Sequence, residues 1–142
     1  MIVNGSPAAS ERLPGHELLA RFVMFSRWIK SDGTPKPDAF LPPRDLNLSV
    51  TRHSGLSREQ LWDRGRTVAA GREKPLLGRA DLSAASARDS GAPHLDVVAA
   101  PLPENAQHAH IIGWPHDKSR QKMLALKLAE VARFAPLNGL IG

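Results

Sequence analysis

Apolar and polar residues divide the chain into short segments of changing period. Residues 1–17, MIVNGSPAASERLPGHE, mix Gly, Ser, Pro and Ala without an apolar repeat. Such a stretch offers too little burial to offset the entropy of ordering, so we read 1–17 as a flexible tail and 18–142 as one domain. From Leu18 the run LLARFVMFSRWI fits two periods. Leu18, Leu19, Phe22, Val23, Ser26 and Ile29 share a helical face, while residues 22–25 suit a buried strand, and we favour the strand. In SDGTPKPDAFLPPRD, Asp32-Gly33 offers a turn able to take positive φ, and Pro35, Pro37, Pro42 and Pro43 exclude helix, which predicts a surface excursion. Leu46, Leu48 and Val50 then alternate with Asn47, Ser49 and Thr51, as in a strand with one wet and one buried face.

The clearest helix signal follows. Ser57 can cap the amide of Gln60 while Gln60 reaches back, and Leu56 can pack on Leu61. This predicts a helix from Arg58 to about Ala70, with Leu61, Trp62, Val68 and Ala69 on its apolar side and Gly71 as terminator. Ala80, Leu82 and Ala84 alternate with Arg79, Asp81 and Ser83 in a further strand, broken over residues 86–93. Residues 94–99 and 108–112 form two more strand candidates, joined by the loop PLPENAQ and suited to antiparallel pairing. Asp117 can cap a final helix with Leu124, Leu128 and Val131 at helical spacing, ending near Phe134. The sum is an α+β single domain, a mainly antiparallel sheet of four to five strands with two principal helices packed on one face.

Composition narrows the chemistry. The absence of cysteine excludes disulfides, thiolate metal sites and a cysteine nucleophile. No apolar run approaches the roughly 18–20 residues of a membrane span, and the N-terminus lacks the charged-then-apolar pattern of a secretory signal; a cytoplasmic protein without a membrane partner is expected. The net charge of +5 is unevenly placed. Residues 58–79 hold six Lys and Arg against three Asp and Glu, residues 117–142 five against two, and residues 80–116 one against four.

His108-Ala109-His110 is the first candidate constellation. On a strand, residues two apart point to one face, so both imidazoles could share a metal or act as an acid–base pair. A zinc site would need a third ligand, for which His53, Asp81, His94 and His116 are available, and the sequence does not choose among them. The HxH spacing resembles that of metallo-β-lactamases and cupins, yet Ile111, Ile112 and Gly113 stand where those families carry further ligands. Four of the six histidines lie in or beside the acidic segment, where carboxylates would raise their pKa or join them as ligands. Arg52 and His53, ending the Ser49-Val-Thr-Arg-His53 strand, could meet a ligand in the following loop, giving His108, His110, His53 and Arg52 as catalytic candidates. A polar outer strand face accounts for the same residues without catalysis.

The second constellation is basic. Gly65-Arg66, Gly71-Arg72 and Gly78-Arg79 each pair a permissive backbone with a guanidinium, although neither Gly-x-x-x-x-Gly-Lys-Ser/Thr nor Gly-x-Gly-x-x-Gly is present. Arg58, Arg64, Arg66, Arg72, Arg79, Lys118 and Lys122 are candidate phosphate contacts, with Trp62 and Trp28 as candidate stacking platforms beside them. Either tryptophan serves equally as core.

The stretches AFLPPRDLNLSVTRH and HAHIIGWPHDK resemble small bacterial proteins that share an Ala-Phe, Leu-Ser-Val-x-Arg and Trp-Pro-x-Asp-Lys phrasing. The resemblance spans much of residues 18–134; it implies a bacterial origin and a single domain, and names neither an activity nor a cofactor. Three functions compete: a nucleic-acid- or nucleotide-facing accessory protein, a small phosphodiester- or nucleotide-processing enzyme built on His108 and His110, and a protein-binding subunit using the Pro-rich excursion around Phe40.

Overall fold

A computed structural model describes residues 11–137. Six strands, β1 (Leu18–Val23), β2 (Leu48–Arg52), β3 (Gly78–Ser83), β4 (Asp96–Ala99), β5 (His108–Ile112) and β6 (Arg133–Pro136), form one sheet in the order β4-β5-β2-β1-β3-β6. Every neighbouring pair is antiparallel. Three helices accompany it, α1 (Arg58–Gly71), α2 (Ala84–Ser90) and α3 (Lys118–Val131). The α+β class and antiparallel sheet agree with the sequence reading, which undercounts both strands and helices. No helix among the described residues is long and apolar enough to cross a membrane.

The two missed elements have simple causes. Helix α2 grows out of β3 without a change of apolar pattern, because Ala84 and Ala87 are buried like Ala80 and Leu82 before them. Its start is set by Ser83, whose hydroxyl accepts from the amide of Ser86 at 3.0 Å. The predicted final helix runs on into β6 to Phe134, whereas the helix ends at Val131; Ala132 is already extended, with φ −80° and ψ 151°. The expected terminator of α1 is displaced as well. Gly71 remains helical, and the left-handed residue is Glu73, at φ 56°.

Helices cover both faces of the sheet, which corrects the expectation that they share one. Leu19 and Val23 of β1 join Leu48, Ala80, Val97 and Ile111 in the main core, closed from outside by Ala84 and Ala87 of α2 and Leu124 and Leu128 of α3. Ala20 and Phe22 project the other way, as strand alternation requires, and pack on Leu61 of α1. Gly65 permits that approach: a Cβ there would lie 2.7 Å from the Phe22 ring. Burial on both sides explains why LLARFV lacks a clean alternation.

Two segments assigned to the surface are ordered into the fold. The Pro-rich excursion contains a 3-10 turn, Pro37–Phe40, with Pro37 at its start. It seats Ala39 and Phe40 in the core, fully buried, so Phe40 is no exposed docking residue. Gly33 does take positive φ, 87°. Of the stretch expected to be a flexible tail, residues 1–10 lie outside the described residues, but residues 11–17 are fixed. Leu13 is buried and donates its amide to Val97 at 3.0 Å, and the amide of Ala99 donates to Glu11 at 2.7 Å, adding a short edge beside β4.

Asp96 ties that edge down. It accepts Arg12 Nε and Arg88 Nε, each at 2.7 Å, and the Val97 amide at 2.8 Å, while Arg88 Nη2 reaches the Leu13 carbonyl at 2.6 Å. Burial works to raise the carboxyl's pKa, but the hydrogen bonds from Arg12, Arg88 and Val97 and the charge of Arg88 outweigh it and hold the group at about 2. Because the folded value lies below that of the unfolded chain, the stabilisation is complete above about pH 4 and is lost as pH falls through 2. D96N should therefore lower the unfolding free energy at neutral pH by about 1–2 kcal/mol, the exposed Arg12 arm contributing least. In urea denaturation the gap between variant and parent should narrow below about pH 3; a gap constant with pH would show that the carboxylate charge is not what holds the edge.

Candidate anion-binding cleft

On the α1 side of the sheet, α1 and the β4–β5 loop (residues 100–107) rise from the strands and leave a cleft of about 400 Å³ between them. Phe22, Met24 and Val50 supply apolar floor, with Val68 and Leu102 on opposite walls. The loop wall is fixed by Asn105, which is buried and donates Nδ2 to the buried Thr51 hydroxyl at 2.9 Å. Its backbone exchanges two 3.0 Å bonds with Leu102, and its Oδ1 accepts the Gln107 amide at 3.2 Å. Gln107 Oε1 in turn accepts Arg64 Nη2 at 3.1 Å, so one polar chain joins β2, the loop and α1.

Three guanidiniums line the cleft: Arg21, Arg64 and Arg72. Arg21 sits where the sheet opens. Strands β1 and β2 pair through Leu19↔Arg52 and Ala20↔Thr51. At the next position, instead of a further ladder pair, the Arg21 side chain donates Nη1 to the Ser49 carbonyl at 3.0 Å and Nε to the Ala39 carbonyl at 2.8 Å. Burial, and secondarily the charge of Arg72, lower its pKa to about 10. Arg64 holds its Nε buried without a partner. Arg72, just past α1, is exposed.

The paired imidazoles do stand on one face, 4.8 Å apart between ring centroids and nearly perpendicular, at 85°. Register explains this: His108 pairs with Thr51 and His110 with Ser49. His108 Nδ1 lies 2.8 Å from the Ala100 carbonyl. A carbonyl only accepts, so Nδ1 carries the hydrogen, and in the neutral ring Nε2 is the bare nitrogen. His108 lines the cleft, and its Nε2 is not among the buried, unpartnered atoms of the described residues. His110, half-buried, has its pKa lowered by burial and then by His108, against a smaller upward pull from Asp45. That is the reverse of the rise expected from the acidic segment.

Other expected site residues lie apart. Arg52 is committed to Glu17 in a bidentate pair at 2.7 Å for each bond. His53 Nε2 sits 3.2 Å from Asp81 Oδ1, and Asp81 also accepts Arg79 Nε at 2.9 Å. Arg79 stacks on Trp62, 4.4 Å from its centroid, and so occupies one face of that ring. Trp28 is a core residue, packed at 4.8 Å against Phe25 and capped by Arg21. Arg58 and Arg66 are exposed on α1, Arg66 paired with Asp63 at 2.8 Å. Lys118 and Lys122 are exposed on α3, across the sheet from α1, so the two basic stretches do not build one surface. Among the described residues no three His, Asp or Glu side chains converge as a metal site requires.

Arg64, Arg72 and His108 thus come together, and Arg21, Glu104 and Asn105 join them unanticipated. Arg21 had one visible signal, a lone cation inside the apolar run LLARFVMF. Replacing Asn105 by alanine leaves the Thr51 hydroxyl unpaired in the core and frees the loop wall, which should cost about 1–3 kcal/mol. Amide exchange should then accelerate through residues 101–107 more than in α3, and equal protection in both proteins would show that the wall is held by other contacts. No protein-family model matches this chain, and no curated protein or solved structure matches it significantly.

Proposed function

We propose that this protein is nucleotide-facing: it binds a small organic anion of nucleotide size in the cleft between α1 and the β4–β5 loop. The observation that carries the reading is the convergence of Arg21, Arg64 and Arg72 over an apolar floor, with Glu104 as the one carboxylate in the lining. Like charges at a cleft repel one another, and an anion relieves them; the Arg72 contribution to the lowered Arg21 pKa is that repulsion. Pockets of roughly 300–1,000 Å³ bury most of a ligand of this size while a few polar groups orient it. A polymer-binding surface is less well supported, because α1 and α3 turn their cations to opposite sides of the sheet.

The bare Nε2 of His108 supports a second reading on the same cleft, in which His108, with His110 beside it, moves a proton during turnover of a bound phosphoester. Product release from nucleotide substrates that persists in the folded H108A/H110A double variant would remove these residues from any such chemistry.

Titration calorimetry with adenosine 5′-monophosphate at about 50 mM salt should give saturable one-to-one binding. R64M and R72M should each weaken it by about ten- to a hundredfold, the loss of a charge-assisted hydrogen bond, without changing the fold. Absence of binding, or affinity in both variants unchanged from the parent, would overturn the assignment. Tighter binding of single-stranded DNA that survives R64M would replace the cleft by an outer surface.

A further inference from the structure

Resting on that reading, we propose that the cleft receives the dianionic phosphate-monoester end of its ligand, and that His108 takes up a proton as the ligand binds. Charge and shape both favour this class. The charged and titratable groups around His108 are Arg21 from β1, Arg64 from α1, Arg72 just past it, Glu104 from the loop and His110 from β5, with Asp45 acting on His110. Three guanidiniums less one carboxylate leave two uncompensated positive charges, which a monoester dianion neutralises and a carboxylate or phosphodiester only halves. The donors also approach from separate elements. A phosphate monoester has three terminal oxygens arranged to accept from several sides, whereas a planar carboxylate has two in one plane.

Each cation keeps an uncommitted donor. Arg21 spends Nε and Nη1 on the Ala39 and Ser49 carbonyls, which leaves Nη2. Arg64 spends Nη2 on Gln107, which leaves Nη1. His108 completes the set in a different way. The Ala100 carbonyl fixes the hydrogen on Nδ1, so the ring can present a donor to the ligand only by gaining a proton at Nε2. A dianion beside Nε2 favours that gain, and by linkage the proton strengthens ligand binding.

The test uses the full chain and three probes of similar apolar body: phenyl phosphate, benzoate and methyl phenyl phosphate, the last a diester monoanion. Calorimetry at about pH 8, where the monoester is fully ionised, is run in two buffers of different ionisation enthalpy so that proton uptake is counted directly. Phenyl phosphate should bind at least tenfold more tightly than either monoanion, with net proton uptake. H108N should abolish the uptake and weaken phenyl phosphate selectively, because the asparagine amide can still donate to the Ala100 carbonyl while Nε2 is gone. In the parent protein, nitrogen chemical shifts of the His108 ring should move to the doubly protonated form on binding, a readout that does not need the variant to fold. Equal affinity for phenyl phosphate and benzoate would overturn the dianion assignment and leave the anion cleft standing. Uptake unchanged in folded H108N, or a His108 ring that stays neutral when saturated, would overturn the proton linkage. Failure of all three probes to bind would remove the cleft itself as an anion site.

Discussion

The architecture depends on β1 being packed on both of its faces. Leu19 and Val23 belong to the main core under α2 and α3, while Ala20 and Phe22 belong to the smaller core under α1. A central strand buried on two sides makes the sheet the middle layer of three. It also confines the open cleft to one side, since the α2 and α3 side is filled by side chains whereas α1 covers only part of the other. The approach of α1 is set by one missing side chain, at Gly65 over Phe22, and so the height of one cleft wall is set by packing, not by any polar contact.

Arg21 is the cost of that arrangement. A guanidinium on a strand with two covered faces must find acceptors within the protein, and it finds the Ala39 and Ser49 carbonyls where β1 and β2 part. Backbone oxygens satisfy its hydrogen bonds but leave its charge uncompensated, unlike Arg52 with Glu17 or Arg88 with Asp96. An Arg whose charge lacks a carboxylate partner, next to a second Arg, is the observation on which the proposed anion site rests.

Much of the local structure was legible in the sequence. The Ser57–Gln60 capping box forms as read, with bonds of 2.8 and 3.1 Å, and β5 runs over 108–112, the residues read as a strand. What escaped was tertiary. Nothing in AASARDS carries a helical apolar face, because α2 needs only Ala84 and Ala87 to dock. The pairing of His108 with His110 followed from strand geometry, yet their companions Arg21, Arg64 and Arg72 are set by strand order and by the side of the sheet that α1 takes. The expected platforms, Trp28 and Trp62, met nearer partners: a core for one and the Arg79 guanidinium for the other.

The two margins of the sheet are finished differently. Beside β4, the main chain at residues 11–13 takes up the outward-facing amide and carbonyl groups, sealed by Arg12 and Arg88 on Asp96. At the other margin, β6 is only four residues long, begins with an exposed arginine and ends in a proline that has no N–H to offer. A foreign strand therefore meets an occupied border on one side and a short, charged, donor-poor one on the other, the means by which antiparallel sheets resist joining edge to edge in concentrated solution.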